Sequence, residues 1–494
     1  MDAQLIARWQ FGITTVYHFL FVPITIGLSM LVAVLQTIWY KTGNEAFLRL
    51  TKFYGKLFLI NFAIGVVTGI VQEFQFGMNW SEYSRFVGDV FGAPLALEAL
   101  LAFFLESTFI GLWIFGWDRL PKKLHLMTIY MAAIGTMLSA IFILAANSWM
   151  QNPVGSTFRN GRAELTDFGA LFTNPVFIAT FPHVITSAYM AAGGLVAGIA
   201  AWHLAKLNRF GDADNSDRDV STWRWAAKFG AYVLLVSAVL VAVSGDAQAK
   251  AMTHAQPMKM AAAEALWDTK EGAGFSIITI GSLDGQSEVF SIRVPKLLSF
   301  MGTGDFNGTV QGINDLKAQF EEKGFLRDDG SQTELQATYA DELAQYSVKV
   351  TPNIAVTYWT FRLMIGVGML GALASLWLLW TLRKGRNPRP SKLWTYAMLS
   401  MPFLPVAGIS FGWIMAEMGR QPWLVAGVMP TFTGASPSVS TFEVLTSVIL
   451  YTLLYGLLAV IEFGLIIKYT KKGLPDVAPV KVLEDEDAPL SFAY

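Results

Sequence analysis

The stretch GDVFGAPLALEALLAFFLESTFIGLWIFGW, residues 88–117, places two carboxylates inside an apolar segment. About 20 apolar residues are enough to span the hydrocarbon core of a bilayer. A charge buried there costs at least ~2.5 kcal/mol, so Glu98 and Glu106 are candidates for function. In a regular helix they lie ~12 Å apart along the axis, which suits one acid at a cofactor and the other on a proton route. In the structural alternative, neighbouring helices and Ser107 or Thr108 cap both acids.

The whole chain has the composition of an integral membrane protein. Of its 494 residues, 53% are hydrophobic and 15% are charged, whereas soluble domains carry about 25% charged residues. The net charge of −1 gives no reason to expect nucleic acid as a partner. The chain has no cysteine, which excludes disulfides, iron–sulfur clusters and thiolate-bound haem. A metal site must therefore draw on few histidines, which are His18, His125, His183, His203 and His254.

Apolar windows separated by charged or Gly- and Pro-containing loops predict an all-α fold with nine transmembrane helices. These lie near residues 11–40, 53–77, 92–117, 124–149, 176–205, 223–243, 353–382, 393–417 and 441–468. Residues 1–243 then hold helices one to six, 244–352 form one long polar loop, 353–472 hold helices seven to nine, and 473–494 form an acidic tail that we expect to be disordered.

The distribution of Lys and Arg predicts the orientation of the chain in the bilayer. The first, third, fifth and seventh connections are rich in these residues, as in Arg119, Lys122 and Lys123 of the third. The alternate short connections hold few of them. Because Lys- and Arg-rich loops stay in the cytoplasm, we expect the N-terminus and the long loop outside and the C-terminus inside.

The long loop is expected to carry function, because long ordered loops often do. It contains a predicted helix at 256–267, a β-prone stretch at 275–283 and a charged, helix-prone segment at about 310–348. Lys259 and Glu264 lie on the first of these. A quinol needs hydrogen-bond partners and a base for its protons, which such a pair supplies; the alternative is a solvated surface helix.

Five residues of ligand-forming types fall in the predicted outer half of the bilayer, with depth counted at ~1.5 Å per residue. They are His18, Glu98, His183, Met364 and Glu417. Imidazole, thioether and carboxylate groups bind haem iron when cysteine is missing, and His with Met is a recurrent pair. Each residue alone has a structural alternative, as a packed histidine, a core methionine or a wetted acid. Glu73 is a further acid at this depth, with an interfacial charge as its alternative.

Several segments resemble subunit I of the cytochrome bd ubiquinol/menaquinol oxidases. They are WQFGITTVYHFLFVPITIG around His18, residues 56–109, ANSWMQNPVG at 146–155, FRLM at 361–364 and GWIMAEMGRQPW at 412–423. The resemblance covers nearly the whole chain in the same order. The loop lacks a long C-terminal insertion seen in some members, which indicates a short-loop type and leaves quinol contacts beyond Lys259 and Glu264 undefined.

The resemblance implies a respiratory terminal oxidase of the bacterial cytoplasmic membrane, which oxidises quinol at the outer face and reduces oxygen to water. It implies a low-spin haem b, a high-spin haem b and a haem d, with a second membrane subunit as partner and room for small single-span subunits. Two alternatives stay open. One is a cyanide-insensitive relative with haem b in place of haem d. The other is an ion-coupled transporter, against which the absence of internal repeats argues.

The resemblance also implies iron ligands. His183 and Met364 match the axial pair of the low-spin haem b. His18 and Glu417 match ligands in the di-haem centre that reduces oxygen. Glu98 matches the acid beside that centre and is a candidate further ligand; which of the two irons each residue binds stays open.

Other roles implied by the resemblance concern protons, quinol and haem contacts. Glu106 and Ser139 resemble positions on a cytoplasmic proton route, and Lys259 and Glu264 match the quinol-loop pair. Trp413 lies where an aromatic ring separates haems. The candidates to pair with haem propionates are Arg362 and Arg420.

Overall fold

The computed structural model describes residues 3–210, 216–282, 287–323, 350–386 and 391–477. In this part of the chain, eight helices are long and apolar enough to cross a membrane, and a bent pair brings the number to nine if it counts as one span. This architecture agrees with the predicted multi-helical membrane protein. The acidic tail falls largely on residues 478–494, which lie outside the described residues.

The first span consists of two helices, α1 (Ala3–His18) and α2 (Val22–Thr42), which the sequence predicted as one. The interruption precedes Pro23, which has no N–H to continue the hydrogen-bond ladder and whose ring crowds the preceding turn. His18 is therefore the last residue of a helix. The next span, α3 (Glu45–Met78), begins where the Asn44 side chain accepts a hydrogen bond of 3.0 Å from Ala46 N.

The segment predicted as one regular helix over 92–117 contains a π-helical turn. It comprises α4 (Ser81–Leu97), the π turn Glu98–Phe103 and α5 (Phe104–Phe115). A π turn inserts an extra residue, so Glu98 and Glu106 do not have the relative positions expected for one regular helix. Such turns are frequent at functional sites, and this one begins at Glu98.

Three long helices and a hairpin complete the first half of the chain. They are α6 (Lys122–Gln151), strands β1 (Ser156–Arg159) and β2 (Arg162–Leu165), the short α7 (Phe168–Thr173), α8 (Pro175–Phe210) and α9 (Ser216–Ala255). Helix α9 continues to Ala255, past the predicted end at 243, so the long connection begins later than expected. The α9 residues that follow the apolar run are still compatible with a helix. Hydropathy alone does not detect such an extension.

The long connection is ordered over much of its described length. It contains α10 (Pro257–Glu264), β3 (Lys270–Glu271), β4 (Phe275–Gly281), β5 (Glu288–Val294), α11 (Leu297–Thr303), β6 (Thr309–Val310) and α12 (Ile313–Lys323). The predicted helix at 256–267 and β-prone stretch at 275–283 correspond to α10 and β4. Of the charged segment near 310–348, residues 324–349 lie outside the described residues.

The last third returns to membrane helices. It contains α13 (Ile354–Thr381), α14 (Lys392–Ser400), α15 (Phe403–Arg420), β7 (Trp423–Val425), β8 (Met429–Pro430) and α16 (Thr441–Lys472). Helices α14 and α15 are bent by 46° at their junction, next to Pro402. The described chain thus forms four two-stranded sheets, all in connections, so the all-α prediction holds for the membrane part only.

Small residues let the membrane helices approach closely. A Cβ added to Gly230 of α9 would meet Gly193 O and Ala197 N of α8, and one added to Gly27 of α2 would meet the backbone of Ala188. Close backbone approach at small residues is a main source of helix association in membranes. The result is a packed centre formed largely by α2, α3, α8 and α9.

The two ends of the helix bundle carry different connections. Helix α10 packs on α9, α13 and α15 at one end, which we call the long-loop end. The last residues of α6, α9 and α15 and the first residues of α1, α8 and α13 lie at this end. The opposite end carries the short connections 43–44 and 116–121.

Candidate functional site

His18 sits at the break between α1 and α2 and faces α3. Its Nδ1 lies 2.9 Å from Thr68 Oγ1, which leaves Nε2 for another partner. A Cβ added to Gly69 would come within 3.2 Å of His18 Cε1. Helix α3 therefore contacts the imidazole through the hydroxyl of Thr68 and through the backbone of Gly69, which has no side chain.

His183 on α8 repeats this arrangement against α9. Its Nδ1 lies 3.2 Å from Ser244 Oγ, and a Cβ on Gly245 would come within 3.3 Å of His183 Cε1. Metal-binding histidines have one ring nitrogen fixed by a neighbouring polar group and present the other to the metal. Both imidazoles meet this requirement.

Met364 lies on α13 against a glycine of α15. A Cβ on Gly412 would come within 2.9 Å of Met364 Sδ, which is closer than real Cβ atoms approach. The sulfur also packs near Phe361, Met415 and Ala263. All three sequence-predicted His and Met ligands thus pack directly against the backbone of a glycine on a neighbouring helix.

Glu417 and Arg420 lie together at the end of α15. Arg420 forms an ion pair with Glu417 through Nη2, and Asn147 Nδ2 of α6 donates 3.2 Å to Glu417 Oε1. Arg420 Nε and Nη1 and Trp413 Nε1 are buried and have no hydrogen-bond partner among the described residues. Buried donors without partners are costly, so the two Arg420 atoms fit a carboxylate such as a haem propionate, while the position of Trp413 between haems stays a prediction.

The two acids of the π-turn segment face α6. Ser139 Oγ donates 2.6 Å to Glu98 Oε1. Glu106 is 6% exposed, and a Cβ on Gly135 would meet its Cγ. Gly135 and Ser139 are four residues apart, so one face of α6 serves both acids. Glu73, by contrast, is exposed on α3.

Helix α10 is buried, which rules out the solvated surface helix. Lys259 is 6% exposed, and its Nζ donates 3.0 Å to Gln151 Oε1. Burial lowers the pKa of Lys259 to about 7; Glu417 opposes this shift and Arg420 adds to it. At neutral pH the amine therefore exists in both protonation states.

Glu264, the second residue of the predicted quinol-loop pair, contacts Arg362 and Ser276 rather than the partners of Lys259. It is 0% exposed and forms an ion pair of 2.8 Å with Arg362, while Oε2 accepts 3.0 Å from Ser276 N. Burial raises the pKa of Glu264, and Arg362 opposes that shift. Oε1 is buried without a partner among the described residues, so it is available to a donor.

Arg362 bonds several groups of the long connection, and its role at a haem propionate stays a prediction. Besides Glu264, it donates 3.0 Å from Nε and 2.6 Å from Nη2 to Ser276 O, and Nη1 donates to Ala263 O. Its guanidinium also lies 4.1 Å from the Tyr358 ring centroid. Arg362 therefore joins α13 to α10 and β4, whereas Arg420 keeps unpaired donors.

Two of the remaining histidines, His125 and His203, are held by packing and hydrogen bonds inside the helix bundle. His125 bonds Gln36 at 2.9 Å and stacks on Trp113. The His203 ring stacks on Trp223 at 4.1 Å. No group of three or more His, Asp or Glu side chains in the described chain is arranged to hold a free metal ion.

Sequence reasoning missed several residues that the structure brings to these sites. Thr68, Ser244 and Asn147 are common polar residues with no signal of their own before their partners are known. Glu462 of α16 is 5% exposed, and the rule that singled out Glu106, an acid within an apolar run, would have found it. Gln151 lies in a quoted motif but received no role.

The helices define a multi-pass membrane protein whose candidate site holds two imidazoles, each with one ring nitrogen against a hydroxyl, and one thioether packed on a glycine. The chain belongs to the cytochrome bd terminal oxidase subunit I family, whose model matches residues 6–474. The resemblance found in the sequence is thereby confirmed, and membership of this family implies haem cofactors.

Relatives and a solved structure agree along almost the full length. The chain is 44% identical to the cytochrome bd ubiquinol oxidase subunit 1 of Bacillus subtilis, covering 96% of this chain and 94% of that one. It is 36% identical to the cytochrome bd-II ubiquinol oxidase subunit 1 of Escherichia coli, covering 96% and 97%. The bd oxidase structure from Geobacillus thermodenitrificans aligns with a TM-score of 0.80 at 26% identity, over 95% and 99% of the two chains.

Proposed function

We propose that this chain is the haem-bearing subunit of a quinol:oxygen oxidoreductase and that it oxidises quinol at the long-loop end of the bundle. The family is one of terminal oxidases, and the named relatives are ubiquinol oxidases. The observation that carries the position of the quinol site is α10, a buried helix that holds an amine and a carboxylate with an unused acceptor oxygen.

Oxidation of a quinol releases two protons with two electrons, so the site needs proton acceptors. Glu264 Oε1 is a buried acceptor with no partner in the part of the chain that the structure describes, which suits a quinol hydroxyl. Lys259, with its pKa lowered to about 7 by burial, exchanges a proton near neutral pH. Arg362 holds Glu264 in place through their ion pair. Menaquinol and ubiquinol present the same hydroxyl chemistry to these groups.

Haem iron, when bound, supplies one-electron transfer and oxygen binding. His183 and Met364 would hold a low-spin haem b. His18 and Glu417, with Glu98 as a further candidate, would hold a high-spin haem b and a haem d; a second haem b in place of haem d is the alternative. The Nδ1 contacts that orient both histidines, and the buried Arg420 donors without a partner among the described residues, support this set.

Glu106, Ser139 and Glu98 form a line along α6 that we assign to proton delivery. Reduction of oxygen to water consumes four protons, and buried ionisable relays are needed to bring them through hydrocarbon. Glu106 is the deeper of the two acids from the long-loop end. The Lys- and Arg-rich connections at the opposite end support a cytoplasmic origin for these protons.

The assembly that fits this chain is a complex in a bacterial cytoplasmic membrane. Membership of the subunit I family implies a subunit II, and the exposed apolar face of α16, including Leu453, Leu457 and Val460, supports contact with lipid or such a partner. Small single-span subunits are compatible with the same surface. The N-terminus and the long-loop end would face outward.

Two measurements on the purified complex test this function. Pyridine haemochrome analysis with a reduced-minus-oxidised spectrum should show b-type haem together with haem d. Oxygen uptake with decylubiquinol should fall at least about tenfold in Lys259→Ala and Glu264→Ala, while haem content is unchanged. A preparation without haem would contradict the oxidase and favour the transporter, and b haem alone would favour the haem d-free alternative.

A further inference from the structure

Gln151 is the last residue of α6 and is 5% exposed. Its side-chain Oε1 accepts two hydrogen bonds, one of 3.0 Å from Lys259 Nζ and one of 2.7 Å from Gln256 Nε2. Its backbone carbonyl accepts a third, of 2.6 Å, from the same Gln256 amide. All three bonds connect the end of α6 to the start of α10.

Gln256 fixes the backbone at the start of α10. Its N–H donates 2.8 Å to Met252 O at the end of α9, and its carbonyl accepts 3.1 Å from Lys259 N. Gln151 therefore holds the residue before the helix and the amine one turn into it. Among the described residues, Gln151 is the partner whose side chain hydrogen-bonds the Lys259 amine.

The same face of α6 contacts the end of α15. Asn147 precedes Gln151 by four residues and donates to Glu417 Oε1, and residues four apart share a helix face. The α15 backbone approaches Lys259 closely, since a Cβ on Gly419 would lie 2.8 Å from Lys259 Cγ. The last turns of α6 thus touch both the proposed quinol amine and the proposed iron-ligand carboxylate.

We propose that Gln151 is a positioning residue for quinol oxidation, which acts by holding the Lys259 amine through its side-chain oxygen. This inference rests on the proposed quinol site. A lysine side chain has a flexible stem of four carbons. A hydrogen bond that fixes the amine restricts that amine to one place in the site. One N–H of the amine is donated to Gln151 Oε1. The remaining N–H bonds or the lone pair are then directed at the substrate.

The test compares Gln151→Leu, which removes the acceptor, with Gln151→Glu, which keeps an oxygen for both donors. Haem content, optical spectra and oxygen uptake would be measured on the same holoenzyme preparations, with decylubiquinol and with N,N,N′,N′-tetramethyl-p-phenylenediamine as donors. Gln36→Leu is the matched control, because Gln36 is also a fully buried amide but bonds Trp113 and His125 at the opposite end.

We expect kcat/KM for decylubiquinol to fall roughly tenfold or more in Gln151→Leu, with normal haem spectra and unchanged uptake with the artificial donor. Gln151→Glu should recover most of the loss. In a Lys259→Ala background, Gln151→Leu should cost little more, because residues that act through one another are not additive. The control should leave the ratio of the two donor rates unchanged.

Three results within the Gln151 series would overturn the inference, and a fourth comes from comparison with the Lys259 and Glu264 variants. The three are loss of haem in Gln151→Leu, equal loss in Gln151→Glu, and additive losses in the double variant. Failure of the proposed function itself is distinguishable, because then Lys259→Ala and Glu264→Ala would leave decylubiquinol oxidation intact. If those two variants slow quinol oxidation and Gln151→Leu does not, the inference about Gln151 alone is wrong.

Discussion

Ser139 Oγ donates a hydrogen bond of 2.6 Å to Glu98 Oε1 at the residue where the π-helical turn begins. The bond joins α6 to the middle of the α4–α5 span. Glu106 packs against Gly135, which lies about one turn of α6 before Ser139 and has no side chain to occupy the space. Together these contacts order the two acids along a single helix face.

Proton delivery should depend on Glu106 as an ionisable group. Glu106→Gln should keep all haems, since no iron ligand is proposed there, but oxygen reduction should slow roughly a hundredfold because an amide cannot release and regain a proton. Glu106→Asp should retain more activity. Haem content and oxygen uptake on the same preparations are the measurements; full turnover of the Gln variant would leave Glu106 as a capped membrane acid.

Ser139→Ala should slow oxygen reduction through its effect on Glu98 and not through a general effect on the fold. Loss of the 2.6 Å hydrogen bond removes one partner of a partly buried carboxylate, so oxygen reduction should slow by about threefold to tenfold. Ser107→Ala is a suitable control, because Ser107 is exposed and bonds the carbonyl of Phe104 in its own helix. Equal rates for both variants would contradict a role for the Ser139 contact.

The low-spin haem should require both His183 and Met364. His183→Ala or Met364→Leu should abolish the six-coordinate spectrum and decylubiquinol oxidation, because each removes one of the two proposed iron ligands. His18→Ala should instead reduce carbon monoxide binding by the reduced enzyme while the low-spin signal persists. The assignment fails if the low-spin signal is unchanged in both His183→Ala and Met364→Leu.

The glycine that faces Met364 should be needed for haem binding. In Gly412→Ala the new Cβ would lie 2.9 Å from Met364 Sδ, so the sulfur must move. We expect a weakened or shifted low-spin spectrum. Gly366→Ala on α13 is the control, since a Cβ there has no heavy atom within 4 Å. Identical spectra for the two variants would show that the sulfur can move without consequence.

Quinol oxidation should rise with pH through about 7 if neutral Lys259 accepts a proton. Burial lowers the pKa of this amine to about 7, so its neutral fraction increases as pH rises through that value. Lys259→Arg should remove this dependence and slow the reaction at least about tenfold, because a guanidinium stays protonated. A wild-type pH profile in Lys259→Arg would assign the titration to another group.

The sequence by itself determined the class of the protein. Apolar runs long enough to span a bilayer identify membrane helices, since backbone polar groups in hydrocarbon must be satisfied within helices. Acids in such runs are rare and costly, so Glu98 and Glu106 stood out. The quoted motifs pointed to the family that the comparison confirmed, and His18, His183, Met364 and Glu417 followed from the same resemblance.

Only the tertiary structure decided which side chains meet. The break after His18, the π turn at Glu98 and the extension of α9 to Ala255 do not show in the hydropathy of the sequence. Lys259 and Glu264 share a helix, yet one contacts Gln151 and the other Arg362. Those partners lie on helices that are far from α10 in the sequence. The hydrogen bonds of a side chain are set by which helices pack together, not by its neighbours in the sequence.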